Sequence, residues 1–221
     1  MARSLREIVL KTEAGSTDSF SGPARARRWA RLVTEFPDID QMRVLDLGGT
    51  PASWKMAPVK PAAVTTVNMS ALTSDDFDVR SIQGDACHLP SSLRSERFDL
   101  VYSNSLIEHV GGHAPRQQLA DTIHAMADRH WIQTPYRYFP IEPHWLFPGI
   151  QWLPYKARIA VSLRWNRGPV QTHTRAQAEQ QVNEIDLIGI EQMRMYFFES
   201  EIWYERFAGL VKSLVAIKNS S

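Results

Sequence analysis

The stretch MRVLDLGGTPASW, at Met42–Trp54, decides the fold that we expect for the rest of the chain. Its first half is a short, largely apolar run, Met42–Leu47, which ends abruptly at Gly48-Gly49. Apolar runs of this length that end in glycine are typical of buried strands in a parallel sheet. Because glycine has no Cβ, the backbone can turn sharply there and approach a ligand closely. Asp46, just before the turn, is an acceptor for a cationic amine. The stretch therefore predicts a nucleotide-type site, although such turns also occur where nothing binds.

Composition restricts the class of protein. A chain of 221 residues with 43% hydrophobic and 22% charged residues suits one soluble α/β domain with insertions. The net charge of +1 gives no electrostatic reason to expect a nucleic-acid partner. Cys87 is the single cysteine, which excludes an internal disulfide and a cysteine-based metal cluster. The N-terminus lacks the apolar stretch of a signal peptide, and no run reaches membrane-spanning length, so we expect a cytoplasmic protein.

Strand-like and helix-like segments alternate along the chain. The strands are predicted at Met42–Leu47, Ala62–Met69, Val79–Ala86, Arg97–Tyr102, His130–Pro135, Leu187–Phe198 and Leu210–Lys218. The helices are predicted at Gly22–Phe36, Pro115–His130, Thr174–Asn183 and Glu201–Gly209. Such alternation implies a mostly parallel sheet with right-handed crossovers. We therefore expect a single domain over residues 1–221, with a doubly wound, Rossmann-like α/β fold, a seven-stranded sheet and helices on both faces.

Two segments stand apart from this alternation. Residues 1–40 are predicted to form a polar, helical N-terminal segment. Its arginines Arg25, Arg27, Arg28 and Arg31 suit a solvated face or a lid over an anionic or sugar-like substrate. Residues 136–170 are predicted to form a lid insertion. Within it, YRYFPIEPHWLFPGIQWLPY at 136–155 has four prolines and seven aromatic residues, which is too irregular for a helix or sheet and suits a cover over a site. The rings suit packing of the lid or stacking on sugar faces.

Polar residues recur where the predicted strands end. Asn68 stands 20 residues beyond Gly48, about the distance at which dinucleotide-binding folds place an acidic residue on the ribose, although a turn-forming asparagine is equally consistent. Asp85 could accept a hydrogen bond from an exocyclic amine, while the Ala86 N–H reads an adjacent ring nitrogen. Ser105 and Glu108 have the spacing of a helix capping box, and so do Thr174 and Gln177 at the start of a predicted helix.

Four stretches in this order, VLDLGGT, VNMS, GDACHLP and FDLVYSNSLIEHV, resemble the class I S-adenosylmethionine-dependent methyltransferases of the type 11 branch. The resemblance covers Met42 to about Pro154 and is weaker in the last third of the chain. The stretches GGTPASW, SNSLIEHV, WIQTPYRYFPIEPHWLFPG and QWLP are similar to a narrower group from bacterial polysaccharide and cell-envelope pathways. Within it, the chain looks like the anomeric sugar O-methyltransferases of methylmannose polysaccharide synthesis. The resemblance implies methyl transfer from S-adenosylmethionine to a hydroxyl of a small sugar or oligosaccharide.

The resemblance also implies a cofactor role for each residue that matches a motif. The methionine part would lie against Asp46, Gly48, Gly49 and Thr50, the ribose against Asn68, the adenine against Met69, Asp85 and Ala86, and the sulfonium near Asn104 and Ser105. Asn68 departs from the family pattern, which usually has Asp or Glu at this position.

Three side chains are candidates for activating a sugar hydroxyl, which is a poor nucleophile at neutral pH and needs a base or a metal. They are Glu108, His109 and His144. Each also has a structural interpretation: Glu108 could cap a helix, His109 could be a structural hydrogen-bonding group, and His144 could cap a backbone carbonyl in the lid. A similar Glu/His arrangement holds magnesium in the small-RNA terminal 2′-O-methyltransferases. Transferred here, the three residues would bind Mg²⁺, or Mn²⁺ because two imidazoles are unusual for magnesium.

The expected partner is a small saccharide, with no membrane or nucleic acid, and a homodimer would suit the exposed sheet edge and the lid. Two alternatives stay open. The acceptor of the methyl group could be an RNA ribose, a lipid or a phenolic compound, or the chain could be a cofactor-binding protein without turnover.

Overall fold

The computed structural model describes residues 22–70, 72, 79–165 and 167–219. Within these residues the strands are β1 (Arg43–Leu47), β2 (Ala63–Asn68), β3 (Val79–Gln83), β4 (Leu100–Asn104), β5 (His130–Pro135), β6 (Ile141–Glu142), β7 (Phe147–Pro148), β8 (Glu201–Phe207) and β9 (Leu210–Lys218). The helices are α1 (Gly22–Glu35), α2 (Pro51–Lys55), α3 (Ser91–Arg94), α4 (His113–Met126), α5 (Tyr155–Arg164), α6 (Arg175–Glu184) and α7 (Ile190–Tyr196). Short 3₁₀ turns lie at Ile39–Gln41, Ile107–His109 and Ile150–Trp152. No helix among these is long and apolar enough to cross a membrane.

Seven strands form one sheet in the order β3-β2-β1-β4-β5-β9-β8. Strands β1 to β5 pair in parallel, while β9 is antiparallel to both β5 and β8. The strand order reverses between β1 and β4. In open α/β sheets this reversal places a ligand crevice at the carboxyl ends of the strands. The fold is therefore the predicted doubly wound, Rossmann-like one.

Apolar side chains cover both faces of the sheet, as predicted. On one face α1 contributes Leu32 and Phe36, which cluster with Trp54, Tyr102 and Trp131. The opposite face packs against α4 and α7, and its cluster includes Leu47, Leu119, Ile123, Met193 and Phe197. Burial of side chains of this size stabilises the fold by about 1.5–3 kcal/mol each.

The end of the chain differs from the prediction. Leu187–Phe198 was expected to be a strand, but it contains helix α7, because Met193, Tyr196 and Phe197 are spaced to share one buried helical face. The predicted helix Glu201–Gly209 is instead strand β8. Ala208 and Gly209 both have positive φ (48° and 82°), so they form a tight turn into β9. The sheet has seven strands as expected, but one was misplaced in the chain.

The insertion at residues 136–170 is more regular than predicted. It contains the two-stranded sheet β6-β7 and the ten-residue helix α5. A separate apolar cluster, including Trp145, Ile150, Ile159 and Val170, joins the insertion to α6. The N-cap of α6 is the predicted capping box of Thr174 with Gln177. The insertion is therefore an ordered part of the domain, and it shares a small apolar core with α6.

Helix α1 begins at the predicted Gly22, and residues 1–21 of the predicted N-terminal segment lie outside the described residues. Its arginines do not all form a solvated face. The Arg28 side chain is only 16% exposed, and its Nε lies 3.4 Å from Glu205 Oε1. Arg27 donates to the Arg206 carbonyl at 3.2 Å. These contacts attach α1 to the antiparallel edge of the sheet.

Candidate active site

The turn after β1 is built around Asp46. Its carboxylate is buried (1% exposed), and its Oδ2 accepts a hydrogen bond from the Trp54 indole at 2.7 Å. A Cβ on Gly49 would lie 1.7 Å from that oxygen, so only glycine fits there. Gly48 has a φ of +83°, which glycine adopts without strain. Thr50 is buried and precedes helix α2. The turn therefore exposes bare backbone beside a fixed carboxylate.

Asn68 braces this turn from β2. Its side-chain amide donates to the carbonyls of Gly48 (3.0 Å) and Gly49 (3.2 Å), and its oxygen accepts from Ser70 N at 3.3 Å. A carboxylate at this position could not donate either bond. The contacts thus give a physical reason for asparagine where the resembled family has an acidic residue. A contact between Asn68 and a ribose remains a prediction.

The residues expected at the adenine lie at the ends of β2 and β3, which are neighbours in the sheet. Gly84 N donates to the Asn68 carbonyl at 2.9 Å, which ties the two strand ends together. Asp85 Oδ1 accepts from Cys87 N at 2.9 Å, while the carboxylate stays half exposed. Met69 is 53% exposed and Ala86 is buried. Their proximity agrees with a shared site, and their contacts with an adenine remain predictions.

The segment after β4 does not form the predicted capping box. Ser105 has a φ of +52°, and the cap position of the 3₁₀ turn Ile107–His109 belongs to Leu106, without a side-chain cap. Ser105 N donates to the Gln133 carbonyl at 2.9 Å, and its hydroxyl donates to Gln133 Oε1 at 3.2 Å. A non-glycine residue with positive φ is strained, and such residues often occur at functional sites. Asn104, just before it, donates to the Tyr102 hydroxyl.

The left-handed turn directs Glu108 into the protein, where it meets β5. Its side chain is fully buried, and its Oε2 accepts from the Thr134 hydroxyl at 2.9 Å. The lid brings His144 to the same place. His144 Nε2 lies 3.1 Å from His109 Nε2, which lies 4.0 Å from Glu108 Oε1. One ligand atom of each residue lies within 4.8 Å of those of the other two. The three residues singled out in the sequence therefore converge, and a carboxylate oxygen with two imidazole nitrogens fits a divalent cation.

Two supporting residues hold the Glu108 turn and carried little or no signal in the sequence. Arg116, on α4, is buried (2% exposed) and donates to the Ile107 carbonyl at 3.3 Å. It also forms an ion pair with Asp186 at 2.9 Å. Asp186 N donates to the Glu108 carbonyl at 3.0 Å. An arginine in a polar helix is usually interpreted as a surface residue. The role of Arg116 in holding the Glu108 turn is therefore visible only in the tertiary structure.

A second polar cluster connects α1 to the site. Arg28 Nη1 donates at 3.2 Å to Gln133 Oε1, the atom that also accepts from Ser105. Glu205, next to Arg28, is 1% exposed. Burial lowers the pKa of Lys212 in this cluster, and Arg28 lowers it further, while Glu205 opposes the shift. The N-terminal helix is thus connected to the strand ends that flank the Glu108 turn.

Solved structures share this fold at low sequence identity. The chain is similar to the N-methyltransferase NodS from Bradyrhizobium japonicum WM9 in complex with S-adenosyl-L-homocysteine (11% identity, 99% of this chain and 100% of that one, TM-score 0.55). It is also similar to the N-terminal domain of EvdMO1 with the same ligand bound (16% identity, 92% and 85% of the chains, TM-score 0.53). A Rhodobacter sphaeroides protein proposed as a Zn-dependent alcohol dehydrogenase reaches a TM-score of 0.62 at 12% identity, over 98% of both chains. No protein-family model and no curated protein matches the chain. At these identities the likeness establishes the fold alone.

Proposed function

We propose that this protein is an S-adenosylmethionine-dependent O-methyltransferase that acts on a hydroxyl of a small saccharide. The observation that carries the proposal is the convergence of Glu108, His109 and His144 at the ends of β4 and β5. This cluster stands across the topological switch point from the Gly48-Gly49 turn. A bound cofactor and an activated acceptor could thus meet at one edge of the sheet.

The proposed cofactor site is the crevice at the ends of β1 to β4. Its residues are those named from the sequence: Asp46, Gly48, Gly49, Thr50, Asn68, Met69, Asp85, Ala86, Asn104 and Ser105. The buried Asp46 carboxylate suits the cofactor's amino group, and the turn without Cβ atoms allows close approach of the methionine part. When bound, S-adenosylmethionine supplies a methyl group on a positively charged sulfur. NodS and the EvdMO1 domain, which share the fold, were crystallised with the demethylated product of this cofactor.

The Glu108–His109–His144 cluster suits an acceptor that must lose a proton. An amine with a free lone pair attacks a sulfonium unaided, whereas a hydroxyl needs a base or a metal. His144 Nε2 could take the proton directly. Alternatively, the three residues could hold a divalent ion, which would lower the pKa of a hydroxyl beside it. Magnesium prefers oxygen ligands, so the donor set favours Mn²⁺ over Mg²⁺.

A saccharide acceptor is supported by the lid. Tyr138 and Trp152 remain 59% and 53% exposed on the insertion that supplies His144. Large aromatic side chains exposed on the lid suit stacking against apolar sugar faces. The EvdMO1 domain was also crystallised in the presence of S-adenosyl-L-homocysteine and D-fucose. The anomeric hydroxyl of a methylated mannoside is the specific acceptor suggested by the sequence resemblance.

The test is methyl transfer from labelled S-adenosylmethionine to short mannosides and glucosides, with EDTA, Mg²⁺ or Mn²⁺. We expect transfer that EDTA abolishes and one of the metals restores. His109→Ala and His144→Ala should each lose most of the activity, while the exposed His173→Ala should retain it.

Methyl transfer that resists EDTA would support the saccharide acceptor but not a metal. His144 would then act as a base without a metal. Absence of cofactor binding in calorimetry would refute the proposal altogether. Binding without transfer to any saccharide would refute the acceptor, and labelled RNA, lipid and phenolic acceptors would then be compared. Light scattering in the same preparation tests the expected homodimer.

A further inference from the structure

Glu142 lies in the lid two residues before His144, and its side chain is almost completely buried (1% exposed). One carboxylate oxygen, Oε2, accepts the backbone N–H groups of His144 (2.7 Å) and Trp145 (3.0 Å). The other oxygen, Oε1, lies 2.5 Å from His144 Nδ1. A carboxylate oxygen accepts hydrogen bonds, so this geometry favours the tautomer in which Nδ1 carries the ring proton and donates it to Oε1. Neutral His144 then carries its lone pair on Nε2.

We infer that Glu142 is a positioning residue that fixes His144 in the tautomer protonated at Nδ1. The effect of this positioning role on catalysis rests on the function proposed above. The backbone that carries the ring is held in place, because the His144 carbonyl accepts from Val170 N at 2.9 Å and the Trp145 carbonyl accepts from the Trp165 indole at 2.9 Å. The ring itself contacts Glu142 through Nδ1 and His109 through Nε2. Tautomer and ring orientation are thus set by one buried carboxylate and the core of the lid.

The tautomer matters because Nε2 is the atom that faces the rest of the site. It lies 3.1 Å from His109 Nε2. A metal ligand needs a lone pair on that atom, and so does a base that removes a hydroxyl proton. Both interpretations of His144 therefore require the state that Glu142 imposes. The other tautomer would point an N–H group at the site and serve neither role.

Glu142→Gln tests this inference because the amide can take only one favourable orientation. Two backbone N–H groups point at the Oε2 position, so the amide oxygen must stay there and the NH₂ group must face His144 Nδ1. Nδ1 then has to accept, which moves the ring proton to Nε2. The substitution changes few atoms but inverts the tautomer.

Nitrogen-15 NMR of histidine-labelled protein reads the tautomer directly, with the His144 signals assigned by their loss in His144→Gln. In the wild type we expect a protonated Nδ1 and an unprotonated Nε2, and in Glu142→Gln the reverse. Mn²⁺ affinity, measured by titration, should fall roughly 10-fold to 100-fold in Glu142→Gln. The methyl-transfer kcat should fall by roughly 10²–10⁴, with KM for the cofactor little changed. Glu191→Gln, an exposed carboxylate on α7, is the matched control and should behave as wild type.

Protonation of Nε2 in wild-type His144 would overturn the inference, and this measurement remains decisive even if Glu142→Gln fails to fold. A folded Glu142→Gln with wild-type His144 signals and Mn²⁺ affinity would overturn it equally. If the wild type transfers no methyl group, the proposed function fails, but the tautomer measurement still confirms or refutes the role of Glu142.

Discussion

Gly49→Ala should damage both the fold and the proposed cofactor site, because the turn after β1 has no room for a methyl group. The added Cβ would lie 1.7 Å from Asp46 Oδ2 and 2.2 Å from its Cγ. Asp46 is buried on β1, so its carboxylate cannot turn into water without displacing its neighbours. Either the backbone of the turn or the bond from Trp54 has to give way.

The size of the effect follows from these contacts. Forcing an extra methyl group into a packed site costs about 1–3 kcal/mol. Losing a buried hydrogen bond to a charged group costs about 1.5–3 kcal/mol. The two costs overlap, since moving Asp46 relieves the clash, and we expect a loss of about 2–4 kcal/mol in the free energy of unfolding. A displaced Asp46 would also weaken cofactor binding by roughly tenfold or more.

Urea denaturation measures the first quantity, and calorimetric titration with S-adenosyl-L-homocysteine measures the second. Gly112→Ala is the control, because a Cβ on Gly112 meets nothing within 4 Å. Gly112 is the N-cap of α4, where alanine is less favourable than glycine, so that variant should stay within about 1 kcal/mol of the wild type. If Gly49→Ala matches this control in both stability and affinity, then Asp46 does not fill the space above Gly49 as described.

Three further predictions concern groups deep in the fold. Burial and two neighbouring basic side chains lower the pKa of His130 to about 3, whereas the unfolded chain takes up this proton near 6.5. The free energy of unfolding should therefore fall by about 1.4 kcal/mol per pH unit as the pH drops through that window, measured by urea titration. Arg116→Met should remove the buried donor that holds the Glu108 turn, lower stability by about 2–4 kcal/mol and weaken Mn²⁺ binding. Asn68→Asp should lose both donations to the glycine turn, cost about 1–3 kcal/mol and weaken cofactor binding, although it introduces the acidic residue usual in the family.

Each of these three predictions has a test or control variant in the same chain. In His130→Gln the free energy of unfolding should lose the part of its pH dependence that His130 causes. An unchanged slope would show that His130 is not the source. Arg175→Met removes an exposed arginine from α6. Equal stability of the two Arg→Met variants would contradict the role of Arg116 in holding the Glu108 turn. Asn183→Asp changes an exposed asparagine. If it is as destabilising as Asn68→Asp, the bracing of the turn is not what Asn68 provides.

Much of the fold could be predicted because its signals are local. The apolar runs of β1, β2, β5 and β9 and the capping box of α6 lie within a residue or two of their predicted positions. At α7 and β8 the prediction placed a strand where the structure has a helix and a helix where it has a strand, and the cause is local. A short apolar run fits a strand or a buried helix equally well, and Ala208 in a left-handed turn is not a recognisable hairpin signal.

The candidate site was only partly predictable, for a different physical reason. Glu108 and His109 could be named because a carboxylate and an imidazole near a strand end suggest chemistry, and His144 because it lies in the predicted lid. The spacing of Ser105 and Glu108 in the sequence, however, suggested a capping box for Glu108. Only the left-handed Ser105 and the Thr134 hydroxyl on a neighbouring strand explain why Glu108 points inward instead. Such contacts join distant parts of the chain and leave no pattern within a window of residues.

The two halves of the site are built differently, and this bears on how it could work. The proposed cofactor half depends on short-range contacts. Asp46, Trp54 and Asn68 brace one turn between adjacent strands, without contacts from the lid. In the proposed acceptor half, Glu108 and His109 follow β4, while His144 comes from an insertion whose apolar core is shared with α6. Displacing the insertion would remove one of the three groups and leave the glycine turn intact. Under the proposed function, a cofactor could thus bind before the lid is in place, whereas activation of an acceptor would require the lid.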